Sequence, residues 1–275
     1  MMFEQLYTSI PHALREISIK SDDHKFLEYF YYQLSPYVFW GNNLDLECVY
    51  EVIEVIKGQN GYTIKYAEKN YAVDTERSII SHISQKILWS ILLDNPYVAF
   101  HCAVLSNTSN NFLFAAPSGT GKSTLSAFLH ENGFTYYTDD KVTVNCLDGA
   151  IIPFAKPIHL REGGKIVLER EYNISIPKKI IEFGGEKRYL LDWQSTALPE
   201  RKKLRVIFVE RSQTRNVSLI KLSKQDAFIR LADNLIFADP LSQKIKLILQ
   251  LIANTECFLL NYYNMNDALH LINGL

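Results

Sequence analysis

Apolar and polar positions divide this chain into many short β-like runs and a few stretches of helical period. Lys25–Leu34 (KFLEYFYYQL) carries apolar and aromatic residues at helical spacing and reads as a helix packed into a core. Leu46–Lys57 alternates in part and is rich in β-formers. Gly58-Gln59-Asn60-Gly61 is a turn signal, and Tyr62–Tyr71 returns as a strand, so an antiparallel hairpin is expected. Asp74 or Thr75 is placed to cap a helix whose Ile79, Ile80, Ile83, Ile87, Leu88 and Ile91 follow a helical period, and Asn95-Pro96 ends it. Tyr97–Leu105 (YVAFHCAVL) and Phe112–Ala115 (FLFA) read as strands joined by the polar turn Ser106–Asn111.

Beyond residue 120 helices appear among the strands. Leu125, Phe128 and Leu129 share one helical face, and Gly133 is placed as a C-cap. Phe134–Thr138 is a strand running directly into Asp139-Asp140. Val142–Cys146 and Ile151–Phe154 pair as a hairpin around Leu147-Asp148-Gly149. Residues 156–203 are mixed, with KPIHLREGGK and FGGEKRYLLDW as loop-rich pieces. Leu204–Glu210 is a strand, and Ser223 with Asp226 three residues on starts a helix. Leu241–Ala253 is an apolar helix, Cys257–Tyr263 a strand and Asp267–Ile272 a final helix. No internal repeat and no low-complexity linker interrupts this order. The expected organisation is a β-rich N-terminal part over residues 1–94 and an α/β nucleotide-binding domain over residues 95–275.

Composition narrows the function classes. The 275 residues are 47% hydrophobic and 12% aromatic, ample for a core, and the formal net charge is −1 without a long basic block. That argues against nucleic acid as the main partner. Cys48, Cys102, Cys146 and Cys257 are widely spaced with no CxxC, which argues against zinc. No apolar run reaches membrane-spanning length, and the first 20 residues lack a signal-peptide pattern. A cytoplasmic protein without a membrane partner is expected.

The candidate chemistry centres on Phe112–Leu129. A short apolar strand is followed by the small-residue turn Pro117-Ser118-Gly119-Thr120-Gly121, and Lys122-Ser123-Thr124 opens a helix. Strand, glycine-rich turn and helix form the context of a phosphate-binding loop. Such a turn aims successive backbone N–H groups at an anion, and the helix N-terminus adds partial positive charge. Lys122 would reach the outer phosphates of a nucleotide and the Ser123 hydroxyl would ligate Mg²⁺. The usual pattern begins with Gly where this chain has Ala116, a replacement that works where φ stays negative.

Asp139-Asp140 is the second candidate. It stands at the carboxyl end of a strand following the loop helix, where ligands bind in open α/β sheets. One carboxylate can hold Mg²⁺ and the other can accept a proton from an attacking hydroxyl. The same pair would also serve as a plain turn. His101, mid-strand in FHCAV, reads on its own as a core histidine. Lys156, Arg161 and Arg188 are lesser candidates for clamping a phosphoryl group.

Together, a strand bearing His101, the phosphate loop, and a strand ending in Asp139-Asp140 resemble the HPr kinase/phosphorylase family over roughly residues 97–235. VIFVERS (206–212) and the helix from Ser223 are similar to its kinase-like relatives. The resemblance implies a P-loop kinase domain of the HPr kinase type, with ATP and Mg²⁺ as cofactors. It implies transfer to a serine or other hydroxyl of a peptide, protein or small molecule. It makes Asp139 the general base, Asp140 its metal-site or electrostatic partner, and His101 a neighbour tuning that group. Ser118, Gly119, Thr120, Gly121, Lys122, Ser123 and Thr124 would cradle the nucleotide. The chain departs from the family at Ala116, at Pro117 in place of an acidic residue, and at Ser123-Thr124 in place of Ser-Glu. LREGGK (160–165) fills the region of the family's substrate segment with different chemistry. These departures are closer to HPr-kinase-related kinases that tailor precursor peptides than to kinases of HPr itself. A homo-oligomer is compatible with this reading. The rival reading is a nucleotide-sensing module without transferase activity. A motor-type ATPase ranks last, since no apolar strand ends in Asp-Glu.

Overall fold

The computed structural model describes residues 4–8, 16–34, 38–40, 50–59, 61–66, 68–75, 78–83, 85, 96–117, 119–183, 186–193, 195, 197–236 and 241–275. The protein is mixed α/β, and its contacts divide it into two units, Met1–Asp94 with Ile180–Lys187, and Asn95–Lys179 with Arg188–Leu275. Among the described residues no helix is long and apolar enough to cross a membrane.

The first unit holds a six-stranded sheet. Its strands are β1 (Glu4–Thr8), β2 (Glu16–Ser21), β3 (Val38–Trp40), β4 (Tyr50–Gly58), β5 (Gly61–Tyr66) and β6 (Lys69–Val73), in the order β3-β1-β2-β4-β5-β6. Helix α1 (His24–Leu34) buries Phe26, Leu27 and Phe30. The expected hairpin forms, with Gly58 opposite Gly61. The returning run is two strands, however, because the chain reverses between Tyr66 and Lys69 with Glu68 at φ 62°. A non-glycine residue in the left-handed region makes that turn, so no Gly or Pro marked it. Residues 78–83 are helical, with the Ser78 N–H donating to Thr75 Oγ1 at 3.3 Å. Ile87, Leu88 and Ile91 of the expected helix, and Asn95 that was to end it, lie outside the described residues.

Asp23 ties this unit together. Its Oδ1 accepts from the N–H groups of Lys25 and Phe26 at the start of α1, and its Oδ2 accepts from Lys57 Nζ (2.7 Å) and the Tyr62 hydroxyl (2.9 Å). Burial alone would raise its pKa. The bonds from Lys57 and Tyr62 outweigh that and hold it below the usual value. A carboxyl with a depressed native pKa stabilises the fold above its unfolded pKa of about 4, and that contribution fades as pH falls through the native value. Asp23→Ala should therefore cost about 1–2 kcal/mol at neutral pH through the lost cap, and less in acid. Urea unfolding at pH 7 and below pH 4 checks this; a pH-independent difference would contradict it.

The strands that follow in the chain are β7 (Tyr97–Phe100), β8 (Cys102–Ser106), β9 (Asn110–Ala115), β10 (Thr135–Thr138), β11 (Val142–Asn145), β12 (Ile151–Pro153), β13 (Ile158–Leu160), β14 (Ile180–Phe183), β15 (Glu186–Leu191), β16 (Lys203–Arg211), β17 (Ser218–Lys221), β18 (Leu235–Ile236) and β19 (Glu256–Tyr262). β14 falls in the first unit, and six of the others form the sheet on which the second unit is organised. The six are ordered β10-β8-β9-β16-β19-β17. β9, β16 and β19 are mutually parallel along that row, and β8 runs against both β9 and β10. The carboxyl ends of β9, β10, β16 and β19 therefore share one edge, and β8 starts there.

Residues along these strands alternate between two cores. Ala103, Leu105, Phe112, Phe114, Ile207 and Leu260 pack with helices α2 (Lys122–Glu131), α3 (Glu162–Tyr172) and α6 (Met265–Asn273). Cys102, Val104, Leu113, Ala115, Val206 and Phe208 pack with α4 (Lys224–Ala232), α5 (Leu241–Asn254) and a four-stranded sheet ordered β12-β11-β7-β18. Both faces being covered explains the near-continuous apolar runs in β8, β9 and β16. The cysteines at 102, 146 and 257 are buried and free; burial pushes Cys102 and Cys146 up to about 12 and Cys257 to about 11, leaving inert thiols.

Two sequence expectations are corrected here. LREGGK is not a loop: α3 begins inside it, and β13 precedes it, paired with β15 from the FGGEKRYLLDW stretch. Gly164 sits in the first turn of α3 against the loop helix, where a Cβ would come 2.7 Å from Thr124 Oγ1. Close packing, not a chain reversal, accounts for that glycine. Tyr97–Leu105 is not one strand: β7 joins the four-stranded sheet, β8 the six-stranded one, and His101 is the single residue between them.

Candidate functional site

Two glycines shape the turn between β9 and the start of α2. Gly119 (φ 87°) and Gly121 (φ 95°) occupy the left-handed region, which an L side chain rarely adopts. Thr120 closes the turn, its hydroxyl donating to the Pro117 carbonyl at 2.8 Å. Gly121 is the N-cap of α2 and no side chain caps the helix, so its first N–H groups face outward toward any anion. Ser123 and Thr124 are half-buried in that first turn, and Ser118 lies outside the described residues. Among the described residues only Glu68 and Asn173 are non-glycine positions of positive φ, so Ala116 needs no glycine. The departure from the usual pattern at that position carries no backbone strain.

Lys122 points inward. Its Nζ donates to the His101 carbonyl at 3.3 Å, and the residue is 8% exposed. Burial lowers its pKa, while nearby Cys102, Asp139 and Asp140 act in the opposite direction. His101 is held by its backbone, the N–H donating to the Asn234 carbonyl at 2.7 Å. Its ring Nδ1 is 3.1 Å from Asp140 Oδ1.

The acid pair stands just past β10, so strand alternation does not separate its two side chains. Strand pairing with β8 skips Tyr137, an irregularity that shifts the last turn of the strand. Lys156, arriving after β12, places its Nζ 3.6 Å from Asp139 Oδ1 and 3.3 Å from Asp140 Oδ2. The buried Tyr136 hydroxyl lies 3.2 Å from both Asp139 Oδ1 and the Lys156 carbonyl. Asp139 is 4% exposed at its side chain, Asp140 27% and His101 41%. Burial by itself would raise the Asp140 carboxyl, but Lys156 and His101 together hold it well below the usual range. Burial and the Asp139 charge raise Tyr136 well above its ordinary value, so it stays a neutral donor.

The structure thus joins Lys122, His101, Asp140, Lys156, Asp139 and Tyr136 in one chain of contacts at the sheet edge. His101 contacts Asp140, whereas Asp139 is held by Tyr136 and Lys156. Lys156 had ranked only as a lesser candidate and Tyr136 carried no signal. Arg161 lies at the N-cap of α3 and Arg188 on β15. Among the described residues no three His, Cys, Asp or Glu side chains gather as a metal site. A Mg²⁺ ion here would take Ser123 and Asp140 from the protein and draw its remaining ligands from phosphate and water, a set this ion commonly uses. No family model matches the chain, and a search of curated proteins finds none that matches it.

Proposed function

We propose that this protein is an ATP-dependent phosphotransferase acting on a hydroxyl of a peptide, protein or small molecule, with Mg²⁺ as its ion. The observation that carries the reading is the link from phosphate loop to acid pair: Lys122 bonds the His101 backbone, and the His101 ring bonds Asp140. A triphosphate on the first turn of α2 has its outer end beside Lys122, and the residues able to accept a proton are one contact further on. Asp139 is too enclosed to meet an acceptor hydroxyl. The His101–Asp140 pair is the accessible group. Asp140 stays ionised and orients the ring, and the pair takes the proton as the bond to phosphorus forms. Lys156 and Lys122 supply positive charge against the transferring phosphoryl group. Mg²⁺ would neutralise the charge shared between the outer phosphates.

Incubation with γ-labelled ATP, Mg²⁺ and serine-containing peptides tests this. Label should appear on a hydroxyl and vanish with Lys122→Ala. Nucleotide binding with no transfer to any acceptor would favour a nucleotide-sensing module, and no nucleotide binding at all would overturn both readings.

A further inference from the structure

Tyr262 ends β19, at the same sheet edge as the phosphate loop, and pairs in register with Arg211 at the end of β16. Its side chain is almost fully buried, 2% exposed. A Cβ added to Gly121 would lie 3.9 Å from the Tyr262 hydroxyl oxygen, and nothing else comes as near. The hydroxyl is therefore aimed at the N-cap of α2. It makes no hydrogen bond among the described residues. Its neighbour Tyr172 is different, accepting from the Met265 N–H at 2.8 Å. The hydroxyl oxygen is not among the fully enclosed side-chain atoms left without a partner, so this donor keeps an opening to solvent beside that N-cap. Phenylalanine would fill the same space without offering that donor.

We infer that the Tyr262 hydroxyl donates a hydrogen bond to a phosphoryl oxygen of the nucleotide seated on the first turn of α2. The inference rests on the phosphate-loop reading above and adds to it a donor from a strand outside the loop's own sequence pattern. Two sets of donors converge on that position, the uncapped N–H groups of α2 and this phenol. Burial raises the Tyr262 pKa, with Arg211 acting in the other direction, so the phenol keeps its proton at neutral pH and can only donate to an anion. Gly121 leaves the gap between loop and phenol open.

Tyr262→Phe removes one oxygen and nothing else. Calorimetric titration with MgATP and melting of the free protein read its effect. MgATP affinity should fall about tenfold, as for a hydrogen bond to a charged group. The melting temperature of the free protein should stay level, because the hydroxyl removed makes no hydrogen bond there. Wild-type affinity in Tyr262→Phe would overturn the inference while leaving the phosphate-loop reading intact. A weaker variant whose free form also melts lower would overturn it in favour of a structural role. Absence of MgATP binding by the wild-type protein would overturn the phosphate-loop reading and this inference with it.

Discussion

His101→Gln should slow phosphoryl transfer roughly 10²–10⁴-fold, the usual contribution of a positioned acid–base group. The fold should barely respond. The two bonds that fix His101 on the strand side, its N–H to the Asn234 carbonyl and its carbonyl accepting from Lys122 Nζ, use only backbone atoms of His101 and survive the change. The side chain is 41% exposed, so little packing is lost. Asp139→Asn should behave in the opposite way. Its carboxylate is enclosed, takes the Tyr136 hydroxyl and offsets Lys156, and weakening that set should cost about 1–3 kcal/mol of stability. Single-turnover transfer and thermal melting on both variants separate the roles. A fast His101→Gln beside a folded but inactive Asp139→Asn would return the proton to Asp139.

Lys122→Ala should weaken MgATP at least tenfold, since a bond between a charged donor and a phosphate contributes about 1.5–3 kcal/mol. The free protein should tolerate the loss. Burial already disfavours the Lys122 ammonium, so its energy is held back until an anion arrives to meet it. Calorimetry on Lys122→Ala and on the wild type gives the difference directly. Equal affinities would remove Lys122 from the phosphate site.

The loop was legible because its signal is local. Strand, turn and helix follow one another within Phe112–Leu129, and each glycine of positive φ falls where the turn needs it. The acid pair was legible for a similar reason, standing at the end of a strand of the same sheet. Lys156 was not. It reaches Asp139 and Asp140 only because β11 and β12 fold back as a hairpin, and nothing around Lys156 in the sequence distinguishes it from a solvated lysine. LREGGK misled because two adjacent glycines read as a turn, while the fold uses Gly164 for contact with Thr124. His101 misled because two strands from different sheets abut with one residue between them and leave a single apolar run. Tyr262 belongs to no local pattern; only the sheet brings it to Gly121.

The junction at His101 has a consequence for how this chain can accept insertions and deletions. Phe100 ends a strand of one sheet and Cys102 begins a strand of another, with His101 alone between them. One residue added after His101 would turn β8 over, sending Cys102 and Val104 into the core now filled by Ala103 and Leu105. One residue added before it would shift β7 against β11 and β18 in the same way. Changes of length that surface turns absorb freely, such as at Asn107–Ser109, are closed to this position. The histidine is held in place by chain length itself.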